Sequence, residues 1–274
     1  MENPWIDIEK TLSLIAKNPN ISDLHLSSGE YISYRLNWKI VKEESSGKIS
    51  SEQMELFLKQ LFYWNSQRFN KFLWDKESDF AYISKDKTIY RVNAYLKTGG
   101  ITLVMRKVDK VAKKLEDIML DSVSNSIKKN VLKKKKGLYL ITWPTGNWKS
   151  TSLVAILEEI NKNKSRILIT IEDPIEYVFE PKKCIISQRE IWKDTRSFAN
   201  ALKSAMRQDP DIVFVWEIHD KETAEAVLNL AETGHLVFST LHTNSASHTI
   251  KKFISFFPPN TQWSIAERLS ESLI

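Results

Sequence analysis

Residues 137–163 read GLYLITWPTGNWKSTSLVAILEEINKN. An apolar run, Gly137–Thr142, leads into a short loop, and the loop leads into a segment with helical spacing. That order of strand, loop and helix is the context a phosphate-binding loop of pattern G-x-x-x-x-G-K-[ST] requires. Lys149 and Ser150 occupy the last two motif positions, with Thr151 following, and Pro144, Thr145, Gly146 and Asn147 fit the interior. Both defining glycine positions hold tryptophan, Trp143 and Trp148. In a working loop, backbone N–H groups at the helix start cradle phosphates. Lys149 would reach the terminal phosphates and Ser150 would hold Mg²⁺. An indole at position 148 obstructs the close backbone approach that glycine permits. The loop alone leaves a nucleotide site and an inert loop equally open.

Downstream, the apolar runs "RILITIED", "KCIISQRE", "DIVFVWE" and "HLVFSTLH" alternate with helical segments. Such runs predict a buried, largely parallel sheet and an α/β fold. Carboxylates gather at the strand ends. Glu217 closes "DIVFVWE", on a strand expected to neighbour the loop strand, where a Walker-B-type acid holds Mg²⁺; the plainer reading is a helix cap. "TIEDPIEY" supplies Glu172, Asp173 and Glu176 at the edge where open α/β sheets bind ligands. One of them activates a water, or the segment is a solvated acidic loop opened by Pro174. His235 and His242 bracket one strand and suit contact with a phosphate, although a lone histidine is more often structural.

Upstream, residues 1–109 predict a small α+β domain. "IDIEKTLSLIAK" spaces Ile6, Leu12 and Ile15 on one helical face, and "SDLHLS" alternates as a strand. "YISYRLNWKIV" predicts a hairpin whose turn, Asn37–Trp38, needs positive φ at both residues, which Asn-Gly would suit. A helix near Ser51–Tyr63 precedes three strands, "DFAYIS", "TIYRVNAYL" and "ITLVMRKV". Residues 110–120 form a Lys-rich connector, and 121–274 the second domain. The net charge of +6 fits solvated lysines better than a nucleic-acid or membrane surface, because no aromatics interleave a basic stripe. The single cysteine, Cys184, excludes a disulfide framework and a four-cysteine zinc site within one chain, and fits a small buried hydrophobe. No apolar run approaches transmembrane length, so the expectation is a soluble, cytoplasmic protein.

Together the stretches "SDLHLSSGE", "PTGNWKSTSL", "TIEDPIEYVFEPKKC", "SFANALKSAMRQDPDIVFVWEI" and "AETGHLVFSTLHTNSA" resemble the secretion-ATPase superfamily, most closely its PilT-like type IV pilus retraction ATPases. The resemblance implies an N-terminal PAS-like domain, a linker and a RecA-like P-loop ATPase domain working as a homo-hexamer on ATP and Mg²⁺. It implies Lys149 and Ser150 in Walker A, Glu176 as general base and Glu217 as the Walker B glutamate. His235 and His242 match the family's His box, and Arg91 and Arg106 match arginines that reach the nucleotide across a subunit boundary. It further implies a cytoplasmic protein peripheral to the inner membrane, acting on an inner-membrane platform protein of the pilus. The family's pilus-assembly and type II secretion ATPases are the alternative; they commonly carry the four-cysteine motif missing here. His219 stands where the family usually has arginine. The chain stops at "ERLSESLI", inside a helical pattern that the family continues, so the second domain is expected to be C-terminally truncated.

The tryptophans are the other departure. Trp38, Trp143, Trp148, Trp192 and Trp216 stand at family glycine positions, while Trp5, Trp64, Trp74 and Trp263 lie in loop or helix-edge settings that tolerate glycine. The chain has seven glycines and nine tryptophans, whereas ordinary glycine usage of about 7% would give more than twice as many glycines. Decay would not convert glycines into one residue type and spare the motifs around them. The economical reading is a gene in which UGA specifies glycine, rendered with UGA as tryptophan. If the tryptophans are real, the chain reads instead as a non-hydrolysing structural subunit.

Overall fold

The computed structural model describes residues 7–274 apart from 17, 19, 87, 109–111 and 143–147. The loop Trp143, Pro144, Thr145, Gly146, Asn147 therefore lies outside the described residues, as do Trp5, Ile6 and the side chains of Trp148, Lys149 and Ser150. The chain divides into two compact units, Met1–Lys110 and Val111–Ile274.

In the first unit six antiparallel strands pair in the order β3-β2-β1-β6-β5-β4. They are β1 (Ile21–Ser27), β2 (Tyr31–Leu36), β3 (Lys39–Lys48), β4 (Glu77–Ile83), β5 (Ile89–Lys97) and β6 (Gly100–Lys107). Three helices, α1 (Ile8–Ala16), α2 (Ser51–Leu61) and α3 (Ser66–Asp75), complete the unit. Leu12, Ile15, Met54, Phe57, Leu58, Phe69 and Phe72 from the helices form one core with Leu24, Leu26, Val92, Leu103 and Met105 from the strands. Helix α2 starts where Ser50 and Gln53 satisfy each other's backbone N–H groups in a capping box. Helix α3 was not legible beforehand, because its only buried apolar side chains are Phe69 and Phe72. Strand β3 runs farther than its apolar start suggests, through exposed Glu, Ser and Lys, as suits an edge strand guarded by charge. The β2–β3 turn is the two-residue loop expected: Leu36 pairs with Lys39, and Asn37 and Trp38 have φ of 46° and 69°.

In the second unit five parallel strands pair in the order β7-β11-β10-β8-β9. They are β7 (Gly137–Thr142), β8 (Ile167–Glu172), β9 (Ile185–Glu190), β10 (Ile212–Val215) and β11 (Leu236–Leu241). The strand carrying Glu217 is thus not the neighbour of the loop strand, contrary to the expectation above: β11 lies between β7 and β10. Helices cover both faces: α4 (Leu115–Ile118), α5 (Asp121–Ser126) with a π-helical turn (Ile127–Val131), α6 (Trp148–Asn163), α7 (Phe198–Ala205), α8 (Lys221–Glu232), α9 (Ala246–Ser255) and α10 (Gln262–Ser272). Alternate residues of β10 serve opposite faces. Ile212 and Phe214 join Leu115, Leu153, Leu157 and Cys184 in one core, and Val213 and Val215 join Leu202, Val227, Leu228 and Phe253 in the other. Every residue of β10 and β11 is buried, which is why β10 reads as an unbroken apolar run and β11 as one interrupted only by Ser239 and Thr240.

Candidate active site

Because the strands are parallel, their carboxyl ends share one edge. Helix α6 begins there, at Trp148, after the loop that follows β7. The same edge receives Glu217 after β10, His242 after β11, and the acidic turn Glu172–Glu176 after β8.

Glu217 is fixed by the strand beside it. Thr240 Oγ1 donates to the Trp216 carbonyl at 2.6 Å, Ser239 Oγ donates to the Val215 carbonyl at 2.9 Å, and the Ile218 N–H donates to Thr240 at 3.2 Å. These bonds carry the chain past the end of β10 along β11 and leave the Glu217 carboxylate between two imidazoles. His242 Nε2 lies 2.9 Å from Oε2, and His219 Nδ1 lies 3.5 Å from Oε1. Glu217 is buried while both histidines are exposed. The His219 contact was not foreseen; its signal was the spacing Glu-x-His at a strand end. His235 and His242 bracket β11 as their positions in the sequence imply, and so stand at opposite ends of it. His235 Nδ1 meets the Leu230 carbonyl at 3.0 Å and Thr233 Oγ1 at 3.2 Å, so it fastens the α8–β11 turn and is not brought to the carboxyl edge.

The three acids of the β8 turn have three environments. Asp173 is exposed and Glu176 half-buried. Glu172 is 2% exposed, and its Oε1 accepts from Thr170 Oγ1 at 2.6 Å and Gln188 Nε2 at 3.0 Å. The Glu176 backbone also hydrogen-bonds to this carboxyl group. Gln188 additionally donates to the Tyr177 carbonyl and accepts from the Phe179 N–H, both at 2.8 Å. Side chains of β8 and β9 thereby hold the segment that presents Glu176. Gln188 went unremarked in the sequence, because a glutamine in a strand carries no signal of the carbonyl it faces.

Burial pushes the Glu172 carboxyl from 4.5 up to about 7, against the opposing pull of the Thr170 and Gln188 hydrogen bonds. The neutral acid is favoured in the folded state, so folding retains a proton that the unfolded chain loses above pH 4.5. Stability from this group is complete below that pH, declines as pH rises and levels off above about 7, for a total of roughly 3 kcal/mol. Glu172→Gln keeps the packing and removes the titration. Urea unfolding midpoints at pH 4.5 and 7.5 should therefore fall less steeply with pH in the variant than in the parent; equal slopes would refute the assignment.

In the first unit, cross-strand register sets Arg35, Asp23, Arg106 and Arg91 in one row over β2, β1, β6 and β5. Asp23 is buried; Arg106 Nε reaches its Oδ1 at 2.7 Å, and Arg35 Nε lies 3.7 Å from Oδ2. Burial alone would raise the Asp23 carboxyl, but hydrogen bonds from Ser22 and Arg106 hold it below its ordinary value. Arg106 keeps most of its side chain in solvent, and Arg91 is exposed.

Among the described residues, no group of three or more His, Cys, Asp or Glu side chains forms a metal cage. A Mg²⁺ ion carried on phosphate oxygens needs only one or two protein ligands, so Ser150 and Glu217 suffice as candidates. No helix among the described residues is long and apolar enough to cross a membrane.

A parallel sheet with helices on both faces, and with acids and histidine at its carboxyl edge beside a loop-to-helix junction, defines a class of α/β protein. The chain belongs to the type II/IV secretion system protein family, which matches residues 65–269. It is 38% identical over 269 residues to the type IV pilus retraction ATPase PilT of Pseudomonas aeruginosa, covering 98% of this chain and 76% of that protein. The crystal structure of the pilus retraction motor PilT with bound ADP superposes with a TM-score of 0.85 at 34% identity, over 98% of this chain and 76% of that one. The chain is also 40% identical over 165 residues to type II secretion system protein E of Aeromonas hydrophila, covering 59% of this chain and 32% of that protein.

Proposed function

We propose that this chain is an ATP-hydrolysing subunit of a homo-hexameric motor that powers type IV pilus retraction and twitching motility. Residues 1–109 form its PAS-like domain, 110–120 the linker and 121–274 its RecA-like ATPase domain. The observation that carries the reading is Glu217, buried and held toward His242 at the sheet edge where α6 begins after the phosphate-loop pattern. Lys149 and Ser150 hold ATP and Mg²⁺ there with the backbone of 143–148 and Thr151. Glu176 takes the proton of the attacking water. Arg91 and Arg106 reach the nucleotide of the adjacent subunit, and the row anchored by Asp23 keeps Arg106 aimed. His235 acts only through the turn it fastens. The motor works in the cytoplasm against an inner-membrane platform protein. Retraction is favoured over secretion because the PilT likeness spans nearly the whole chain, whereas the type II likeness stops at about three-fifths of it.

The test uses the chain with glycine at 143 and 148. Phosphate release from Mg·ATP, and nucleotide-dependent assembly in sedimentation, are both expected. Lys149→Ala should abolish the first by removing a cation from the terminal phosphates. Phosphate release that survives Lys149→Ala, or that never appears in a protein shown to bind ADP, would reject the reading.

A further inference from the structure

Six tryptophans have both backbone and side chain described: Trp38, Trp64, Trp74, Trp192, Trp216 and Trp263. None is buried. Trp38 is 89% exposed, Trp74 86% and Trp263 83%; Trp64 and Trp192 are exposed and Trp216 is half-buried. Tryptophan in folded proteins is highly buried on average. Here phenylalanine, leucine and isoleucine fill all three cores instead.

The backbone is more telling than the exposure. Trp38, Trp64 and Trp192 have φ of 69°, 59° and 66°. Only a few per cent of non-glycine residues have positive φ, and a bulky one there is an outlier. Three of six tryptophans do so, each in a turn or at a helix end. Trp38 is the second residue of a two-residue hairpin loop, the place of glycine in Asn-Gly turns. Trp64 is the second of two consecutive positive-φ residues that end α2, Tyr63 and Trp64. Its N–H donates back to the Lys59 carbonyl at 2.8 Å and the Tyr63 N–H to the Gln60 carbonyl at 2.8 Å, so the usual glycine site of this helix end is 63, and at 64 glycine would relieve the second positive φ. Trp192 turns the chain after β9, its N–H donating to the Thr195 carbonyl at 2.6 Å.

We infer that the tryptophan positions of this chain are glycine positions: the polypeptide made in its own cell carries glycine at 38, 64 and 192, and by the same codon at 143 and 148 in the phosphate-loop pattern. The inference goes beyond the motor reading, since it concerns the chemical identity of residues throughout both units. It assigns the phosphate site its two missing glycines without using the structure of that loop. It also accounts for the glycine shortage and for cores with no fully buried tryptophan among the described residues, Trp216 packing only partly buried against one of them.

Peptide mass spectrometry of the protein purified from its source cell is the test. Peptides spanning 38, 64, 143, 148 and 192 should each be lighter by the difference between tryptophan and glycine. Tryptophan at any of the three turn positions overturns the inference, while leaving the ATPase reading to its own test. A second measurement needs no source cell. Made under the standard code, the variant Trp38→Gly, Trp64→Gly, Trp192→Gly should unfold at a higher urea concentration than the parent. An unchanged or lower midpoint overturns the claim that these turns are built for glycine.

Discussion

Changing Trp143 and Trp148 to glycine should tighten Mg·ATP binding by roughly five- to a hundredfold. Residue 148 opens α6, so its N–H belongs to the first helical turn, whose unsatisfied donors and positive dipole end attract phosphate. A phosphate reaches those donors only by coming against the backbone. Glycine at the lysine-adjacent position leaves that approach open, whereas a Cβ adds bulk there and an indole adds two fused rings. Overpacking of this order costs about 1–3 kcal/mol, and each 1.4 kcal/mol is about tenfold in affinity. Calorimetric titration of the parent and the double variant with Mg·ADP and Mg·ATP measures the gain. Lys149→Ala in the glycine background should forfeit it, which separates a repaired phosphate site from a general gain in folding. Equal dissociation constants for parent and double variant would sink the steric argument.

What the residues disclosed in advance followed from what strand periodicity can carry. The parallel sheet was legible because β10 and β11 are buried on both faces, so Ile212–Val215 is wholly apolar and Leu236–Leu241 carries only the small buried hydroxyls of Ser239 and Thr240. The hairpin at Asn37–Trp38 was legible because its flanks alternate and its turn length leaves one solution. Strand order was not legible. Nothing local in "DIVFVWE" says that β11, later in the chain, inserts between it and β7, since that order is set by crossover connections. Likewise the common role of His235 and His242 comes from the family resemblance, not from their bracketing of one strand. A six-residue strand necessarily sends its two ends to opposite edges of the sheet, and only the edge carrying His242 also carries Glu217. Helix α3 escaped notice because two phenylalanines are too few to mark an apolar face. The Glu172–Gln188 contact escaped because it joins side chains on separate strands whose register must be known first.

Glu176→Gln in the glycine-bearing chain should lower turnover about 10²- to 10⁴-fold, the usual worth of a general base, with little change in nucleotide affinity. The structure narrows the choice of base by what surrounds each acid. Glu172 is buried, and its carboxyl group is engaged by Thr170, Gln188 and the Glu176 backbone, which makes it a poor base for an incoming water. Glu217 directs both oxygens toward imidazoles, His242 and His219, an arrangement suited to orienting groups around a metal and phosphate. Asp173 is exposed and Glu176 half-buried, and of these two the family resemblance selects Glu176. Glutamine there keeps the size and the hydrogen-bonding carbonyl and loses only proton acceptance, so the effect should fall on kcat. Glu217→Gln should behave differently. It removes a negative charge from the metal side of the site, so activity should also require a higher Mg²⁺ concentration, and the contact with His242 should weaken. Phosphate release and nucleotide binding for both variants across a Mg²⁺ series distinguish the two roles. If Glu176→Gln retains near-normal turnover while Glu217→Gln abolishes it at saturating Mg²⁺, the base is Glu217 and the acidic turn after β8 is structural.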